Sequence, residues 1–199
     1  MSHDEKRRVL IDAAQKRFAY YGISKVTMDE IAADVGLSKA AIYYYFKTKE
    51  EIFKEVVIRE IEQFTGEMRE KINTRTTAAE KLFTFIQTRF KAGELMQNFK
   101  KASLDAGLDL KTHMSETFAA YRQKERLLIA GIIKEGMGSG EFAAVSSKKT
   151  AALLQHLIFG LTNARSRLLS FTLEAEQEIG HSEENEMLAE LIIKGLQKQ

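Results

Sequence analysis

The sequence predicts an all-α protein, and three observations carry that prediction. The 199 residues include no proline, so no proline ring interrupts a helix. Apolar residues recur at three- and four-residue spacing along most of the chain, as they do on one face of a helix. The glycine, serine and aspartate breaks between these stretches are short, and no stretch alternates convincingly in the manner of a strand. The sequence therefore predicts long helices joined by short turns.

Composition is typical of a globular protein and removes several classes of function. Hydrophobic residues make up 44% of the chain and charged residues 29%. The absence of cysteine excludes disulfide frameworks, thiolate zinc sites and cysteine nucleophiles. No apolar run reaches the roughly 18 residues that span a membrane, and the polar start lacks a signal-peptide core. We therefore expect a cytoplasmic protein. Its net charge of +2 requires any basic surface to be local.

The first 48 residues predict three helices. The first runs from Arg8 with apolar residues at four-residue spacing, and it ends at a glycine that permits a left-handed stop. The second starts at a capping box, lasts about two turns and is closed by another glycine. The third starts at a serine N-cap. In order, these signals are Leu10, Ala14, Phe18 and Gly22, then Thr27 to Glu30 and Gly36, then Ser38.

Beyond residue 48 the pattern stays helical. A second capping box, from Thr48 to Glu51, begins a long helix. Further helices are predicted at about 77–96, about 100–106, about 111–134, about 147–171 and about 183–198. The stretch from Gly136 to Gly140 is the clearest break between them. We place a domain boundary after the third helix, which gives a domain of residues 1–48 and a larger helical domain of residues 49–199.

The segment from Thr27 to Phe46 is predicted to form a helix, a tight glycine turn and a second helix. This is the geometry of the DNA-binding helix-turn-helix, although such pairs also occur as plain packing. The outward face of the second helix favours DNA binding because it combines a small, a basic and two aromatic side chains and contains no acidic residue. Lysine donates to guanine or phosphate, and tyrosine hydroxyls bind phosphate oxygens. The residues of this face are Lys39, Ala40, Tyr43 and Tyr44.

Phosphate contacts are expected on either side of that face. Thr27 and Lys49 lie at helix N-termini, where free amides and the helix dipole favour an anion. Together with Lys25 and Lys47 they are predicted to clamp the DNA backbone on either side of the groove, and the N-cap Ser38 is also predicted to bind DNA. The alternative is that the tyrosines are core aromatics and the lysines are solvated charges. We prefer that core interpretation for the inward-facing Tyr45 and Phe46.

Five stretches between Leu10 and Phe53 carry a family resemblance. They are Ile11 to Ala14, Phe18 to Gly22, Thr27 to Ala32, Val35 to Lys39 and Ile42 to Glu50. On these stretches, residues Leu10 to Phe53 resemble the DNA-binding domain of the tetracycline-repressor (TetR) family of regulators. The resemblance implies a homodimer whose recognition helices enter successive major grooves of a near-palindromic operator. It places DNA contacts at Thr27, Lys39, Ala40, Tyr43, Tyr44 and Lys49. The family often has histidine where this chain has Tyr45, so Tyr45 is left out of the site.

The resemblance also implies a variable C-terminal domain that binds a small molecule and dimerises through its last two long helices. Apolar stripes on those helices predict the dimer interface, although they also suit packing within one subunit. The predicted interface residues are Leu153, Leu157, Leu161, Leu188, Leu191 and Ile192.

Large apolar side chains among the central helices predict an effector pocket, with a few polar groups to orient the ligand. The alternative is that most of these apolar side chains belong to the core. We expect an apolar or mildly polar effector that separates the two recognition helices through the long helix after Thr48. The predicted pocket residues are Phe85, Phe90, Phe99, Phe118, Tyr121, His156 and Asn163.

Two other functions have weaker support in the sequence. An enzyme would need catalytic groups, but the four histidines are scattered, and His113 with Glu116 lacks a second metal-binding motif. The glycines from Gly136 follow a helix and lack the Gly-Lys-Ser/Thr ending of a phosphate loop. We therefore predict no catalytic residue, metal or cofactor. The second alternative is a DNA-binding protein that senses no small molecule, and the sequence does not exclude it. A cavity above about 300 Å³ among the central helices would count against it.

Overall fold

The computed structural model describes residues 2–92, 96–104, 108–171 and 178–198, and these form helices joined by short connections. The all-α prediction is confirmed. In the described residues, the only β pairing is an isolated bridge between Phe142 and Gln197. The helices are α1 (His3–Tyr21), α2 (Met28–Asp34), α3 (Lys39–Tyr45), α4 (Lys49–Asn73), α5 (Ala78–Phe90), α6 (Gln97–Leu104), α7 (Leu108–Ser139), α8 (Ser147–Phe171) and α9 (Glu178–Leu196), with a 3-10 turn at Ile23–Lys25.

The chain divides into two compact units. Unit 1 comprises residues 1–64 and 93–118, and unit 2 comprises residues 65–92 and 119–199. Helices α4 and α7 each continue from one unit into the other. No helix in the described part of the chain is both long and apolar enough to cross a membrane.

Unit 1 is built on the apolar stripe predicted for the first helix. Leu10, Ala14 and Phe18 are fully buried, and the Phe18 ring meets the Phe53 ring of α4 edge to face at 5.2 Å. Helix α1 starts five residues earlier than predicted because Ser2 and Glu5 form a capping box that sequence periodicity did not reveal. This core fixes α1 and α4 as the support on which α2 and α3 lie.

Unit 2 is organised around α5, which packs against both α8 and α9. The side chains of Leu82, Phe85 and Ile86 on α5 are buried, as are Ala151 on α8 and Ala189 on α9. The N-terminus of α5 is held by the predicted helix start at Thr77, which forms a capping box with Glu80. The carboxylate of Glu141 also accepts hydrogen bonds there, from the Ala78 and Ala79 amides at 3.1 and 3.0 Å.

The predicted break from Gly136 to Gly140 is wrong for most of its length, because α7 continues to Ser139. A Cβ atom at Gly136 would lie 2.2 Å from Cδ2 of Phe142, so this glycine leaves room for an aromatic ring against the helix backbone. Of the three glycines in this stretch, Gly140 alone has a positive φ, of 81°, which is the left-handed region where helices often end. Glycine here serves packing first and chain reversal second.

Candidate nucleic-acid interface

Helix α2 begins as the sequence predicted. The Thr27 hydroxyl accepts from the Glu30 amide at 3.3 Å, and the Glu30 carboxylate accepts from the Thr27 amide at 2.8 Å. The helix stops before Gly36, whose φ of 68° turns the chain while the Leu37 amide donates to the Ala32 carbonyl at 2.9 Å. The predicted capping box and tight glycine turn are both confirmed.

Helix α3 has the two faces that its sequence predicted. Its N-cap Ser38 accepts from the Ala41 amide at 3.2 Å. Ile42 is fully buried and Phe46 is 2% exposed, so these side chains anchor the helix to the core. On the other face Tyr44 is 71% exposed and Tyr43 is 39% exposed. The seven-residue helix therefore presents polar aromatic groups outward from an apolar anchor.

Lys39 has a partner that the sequence did not reveal. Its Nζ atom donates to Oδ2 of Asp29 at 2.8 Å, although both side chains are largely exposed. This hydrogen bond raises the pKa of Lys39 above its ordinary value. The face of α3 carries no carboxylate of its own, but α2 contributes one from ten residues earlier.

The other predicted lysines differ in their contacts. The Lys49 ammonium donates to the carbonyls of Ile23 and Val26, at 2.9 and 3.3 Å, and so holds the 3-10 turn that precedes α2. Lys47 donates to the Tyr43 carbonyl at 3.3 Å, while Lys25 is exposed. Lys49 therefore positions the start of the helix-turn-helix through its side chain, in addition to any role of its helix N-terminus.

The helix start at Thr48 differs from the predicted capping box in one bond. The Thr48 hydroxyl accepts from the Glu51 amide at 3.2 Å, as expected. The Glu51 carboxylate, however, accepts from the Lys47 amide at 2.7 Å, one residue before the Thr48 amide. The hydrogen bond still satisfies a backbone amide and fixes the chain between α3 and α4.

The first turn of α1 lies beside the C-terminal end of α3, which sequence reasoning missed. The His3 ring lies 4.8 Å from the Tyr45 ring and 5.7 Å from the Tyr44 ring. One turn later, the Arg7 guanidinium lies 5.0 Å from the Phe46 ring centre. No local periodicity signals these contacts, because they join residues about 40 positions apart.

The predicted effector residues fall in both compact units. In unit 2, Phe85 and Tyr121 are buried, Phe90 and Asn163 are half-buried and His156 is exposed. In unit 1, the rings of Phe99 and Phe118 meet edge to face at 5.1 Å. Among the predicted dimer residues, Leu153, Leu157 and Leu191 are exposed. Leu161, Leu188 and Ile192 are half-buried.

A polar pocket of about 380 Å³ lies in unit 1, at α1, α4 and the start of α6. Gln15, Glu60 and Asn98 line it. Asn98 is fully buried, and its Oδ1 atom has no hydrogen-bond donor among the described residues. This position differs from the central apolar region in which the sequence predicted a pocket.

Comparisons with known proteins agree with this geometry. A family model described as "Bacterial regulatory proteins, tetR family" matches residues 10–56. A second, described as "YsiA-like protein, C-terminal region", matches residues 57–167.

Similar proteins extend the match over most of the chain. The fatty acid metabolism regulator protein of Bacillus subtilis (strain 168) is 30% identical over 155 residues, which is 76% of each chain. The HTH-type transcriptional repressor KstR2 of Mycolicibacterium smegmatis is 28% identical over 138 residues, or 69% of this chain and 67% of that one. The crystal structure of a transcriptional regulator from Cytophaga hutchinsonii has a TM-score of 0.82 at 31% identity, covering 97% of this chain and 99% of that chain. This chain belongs to the TetR family of bacterial transcriptional regulators, which bind DNA and are not enzymes.

Proposed function

We propose that this protein is a homodimeric repressor that binds a near-palindromic operator and leaves it when a small molecule binds. Residues 1–48 supply the DNA-binding domain, and residues 49–199 supply effector binding and dimerisation. Because the chromosome is its target, the protein acts in the cytoplasm. The proposed DNA contacts are Lys25, Thr27, Ser38, Lys39, Ala40, Tyr43, Tyr44 and Lys49.

The observation that carries the DNA contacts is the outward face of α3. Tyr44 is 71% exposed on a helix that is anchored by the fully buried Ile42. The hydroxyl groups of these tyrosines can donate to phosphate oxygens, and their rings lie next to Lys39 and Ala40 on the same face of the helix. Ala40, beside Lys39 at the start of the helix, leaves room for close approach to base edges.

The homodimer is supported by exposed aliphatic side chains in unit 2. Four of them are at least 60% exposed, and they lie on α7, α8 and α9. A second copy of the chain would cover them across a two-fold axis, where the same patch meets itself. These residues are Leu127, Leu153, Met187 and Leu191.

The proposed effector is apolar with a polar end, of the fatty-acyl class. The relative from Bacillus subtilis is named for fatty acid metabolism. In unit 2, Phe85 and Tyr121 supply buried aromatic surface of the kind that encloses an acyl chain, and His156 and Asn163 supply polar groups. Helix α4 runs unbroken from Lys49 to Asn73, so it connects the two units covalently. An effector that prefers the released state by about 3 kcal/mol weakens operator binding more than a hundredfold.

The first test selects bound duplexes from a random DNA pool with the full-length protein. We expect a near-palindrome whose half-site centres are about one helical turn apart, or a multiple of it. Fluorescence anisotropy should then give nanomolar binding to this operator, steep salt dependence, and weak binding to a scrambled duplex. Selection that returns no shared sequence would overturn the proposed operator recognition.

The dimer and the effector need separate measurements. Light scattering of the double variant L153E/L191E should report a monomer, while the wild type reports a dimer.

For the effector, saturated fatty acids and their thioesters of increasing chain length are added to the protein–operator complex. Release that grows with chain length supports the acyl class. Release by none of them, with operator binding intact, contradicts the proposed effector class and leaves DNA recognition standing.

A further inference from the structure

The contact between Asp29 and Lys39 places a carboxylate at the surface that is proposed to meet DNA. Asp29 is the second residue of α2 and Lys39 is the first residue of α3. Their side chains are 52% and 68% exposed, so the pair is solvated and can rearrange. Phosphate groups repel a nearby carboxylate, so Asp29 lowers the affinity for DNA unless it also contributes to recognition.

We propose that Asp29 is a specificity-determining residue that acts by positioning Lys39. This inference rests on the proposed contact between Lys39 and the operator. A lysine side chain has four flexible carbons and an ammonium with three donors. Asp29 accepts from that ammonium at 2.8 Å, which leaves two donors for a base edge. While it is bound to Asp29, this ammonium is less available to a phosphate of the DNA backbone.

The same contact penalises the wrong DNA. On a sequence without a suitable base, Lys39 would gain most by neutralising a phosphate, as lysines do in non-specific complexes. Asp29 competes for that ammonium and adds a negative charge near the backbone. On the operator, Lys39 keeps Asp29 as one partner and donates to guanine acceptors with its remaining hydrogens. Asp29 therefore widens the difference in affinity between operator and other DNA.

A purely structural role is the main competing explanation. A cation at the first position of a helix is disfavoured by the helix dipole, and the carboxylate of Asp29 offsets that effect at the start of α3. It also lies in the first turn of α2, where a negative charge is favourable. Such a role changes helix stability, but it changes neither the number of phosphates neutralised nor the preference between DNA sequences.

The test compares the wild type with D29N, K39Q and the double variant D29N/K39Q. Affinities are measured for the duplex selected by the wild type and for a scrambled duplex, from about 50 to about 200 mM salt. The matched control is E116Q, which removes one carboxylate charge from an exposed side chain in the same compact unit. Circular dichroism checks that each variant folds, and D29S replaces D29N if the amide variant loses helix.

In D29N we expect tighter binding to the scrambled duplex and a fall of about tenfold in the ratio of operator to scrambled affinity. The salt slope for the scrambled duplex should steepen by about 0.9, because Lys39 is free to neutralise one more phosphate. E116Q should leave both the ratio and the slope unchanged. In the K39Q background, adding D29N should not change the ratio.

Three results would overturn the inference. Equal changes for both duplexes with an unchanged slope would mean that Asp29 contributes only net charge or stability. A loss of preference that persists in the K39Q background would mean that Asp29 contacts a base itself. If K39Q leaves operator affinity unchanged, the proposed Lys39 contact is wrong and this inference falls with it. Operator selection by the wild type still tests the wider function.

Discussion

Two ion pairs of the same chemical type lie in opposite environments in this protein. Lys39 and Asp29 in unit 1 are 2.8 Å apart and more than half exposed. Arg89 and Glu125 in unit 2 are 2.6 Å apart, with side chains only 8% and 5% exposed. Water competes for the first pair and is excluded from the second. The first pair can therefore exchange partners at little cost, which suits recognition, whereas the second can only hold its helices together.

The buried pair belongs to a larger network that joins three helices of unit 2. Glu125 on α7 accepts from the Tyr121 hydroxyl at 3.2 Å and from the Gln155 amide of α8 at 2.8 Å, in addition to Arg89 on α5. Burial raises the pKa of Tyr121, so its hydroxyl stays protonated and donates. Each oxygen of Glu125 thus has a donor, which is the condition under which a buried charge is tolerated.

The largest effect is expected from breaking this buried pair. Arg89→Met leaves the Glu125 charge buried without its cation and should lower the free energy of unfolding by about 3–5 kcal/mol. Urea unfolding followed by circular dichroism measures it. The double variant R89M/E125L should recover most of the loss, because no uncompensated charge remains. As a control, Lys81→Met breaks the partly exposed pair with Glu135 and should cost about 1 kcal/mol or less. A cost for R89M as small as that of the control contradicts this account.

A smaller loss is expected at Glu60, a buried carboxylate in unit 1 that is held by neutral donors. Glu60 is 4% exposed, and it accepts from the Phe99 amide at 2.9 Å and from the Asn98 side-chain amide at 2.8 Å. Glu60→Ala leaves those donors without an acceptor and should cost about 2–3 kcal/mol. Hydrogen exchange of the Asn98 and Phe99 amides should accelerate in the same variant. Glu55→Ala, on the same helix in a half-exposed pair with Arg7, is the control and should leave that exchange unchanged.

The partners of these two buried carboxylates could not be predicted from the sequence. The helix starts at Thr27 and Ser38 were predicted because capping depends on residues three apart. The partners of Glu60 lie 38 and 39 residues away, and Arg89 lies 36 residues from Glu125. Apolar periodicity identifies the inward face of a helix, but it does not say which polar side chains meet there. Long-range polar contacts therefore had no signal in the sequence.

The candidate site likewise contains residues that the sequence predicted and residues that it did not. The outward face of α3 was predicted correctly because its members follow helical spacing from a buried anchor at Ile42. The Asp29 carboxylate beside Lys39 was missed, as was the His3 ring beside Tyr44 and Tyr45, because each comes from another helix. The helix break predicted to start at Gly136 was wrong for a related reason. The function of this glycine is set by the distant Phe142 ring and not by the local turn.

The exposed face of α3 should affect DNA binding without affecting the fold. Tyr44→Phe removes only the hydroxyl of a side chain that is 71% exposed. We expect operator affinity to fall about threefold to tenfold, the effect of one lost hydrogen bond to a charged or neutral acceptor. The matched control is Tyr20→Phe, which removes a hydroxyl from a side chain 80% exposed in the same unit. Anisotropy with the selected duplex distinguishes the two, and equal affinities for both variants would remove Tyr44 from the interface.

Acid should weaken unit 1 through the capping box of α2. Hydrogen bonds from the Thr27 amide and hydroxyl hold the pKa of Glu30 below its usual value of 4.5. Stability from this carboxylate is complete above the ordinary value and is lost as the pH falls toward the lower folded value. Glu30→Gln should therefore flatten the decline of the urea midpoint below about pH 5. Glu116→Gln, in the same unit, serves as the control, and an identical acid profile for E30Q and the wild type would exclude the contribution.

The smallest effect on stability should come from the exposed pair. Since both side chains are more than half exposed, the attraction between Lys39 and Asp29 is largely offset by solvation, and each single variant should change the free energy of unfolding by less than about 1 kcal/mol. Urea unfolding of D29N and K39Q, run beside R89M, measures this directly. A double-mutant cycle gives the coupling between the two side chains, which we expect to be about 0.5 kcal/mol. A coupling as large as that of Arg89 and Glu125 would mean that the pair also stabilises the fold, so a change in sequence preference in D29N would not separate recognition from stability. A small stability coupling together with a tenfold change in sequence preference would show that the contact acts on recognition and not on the fold.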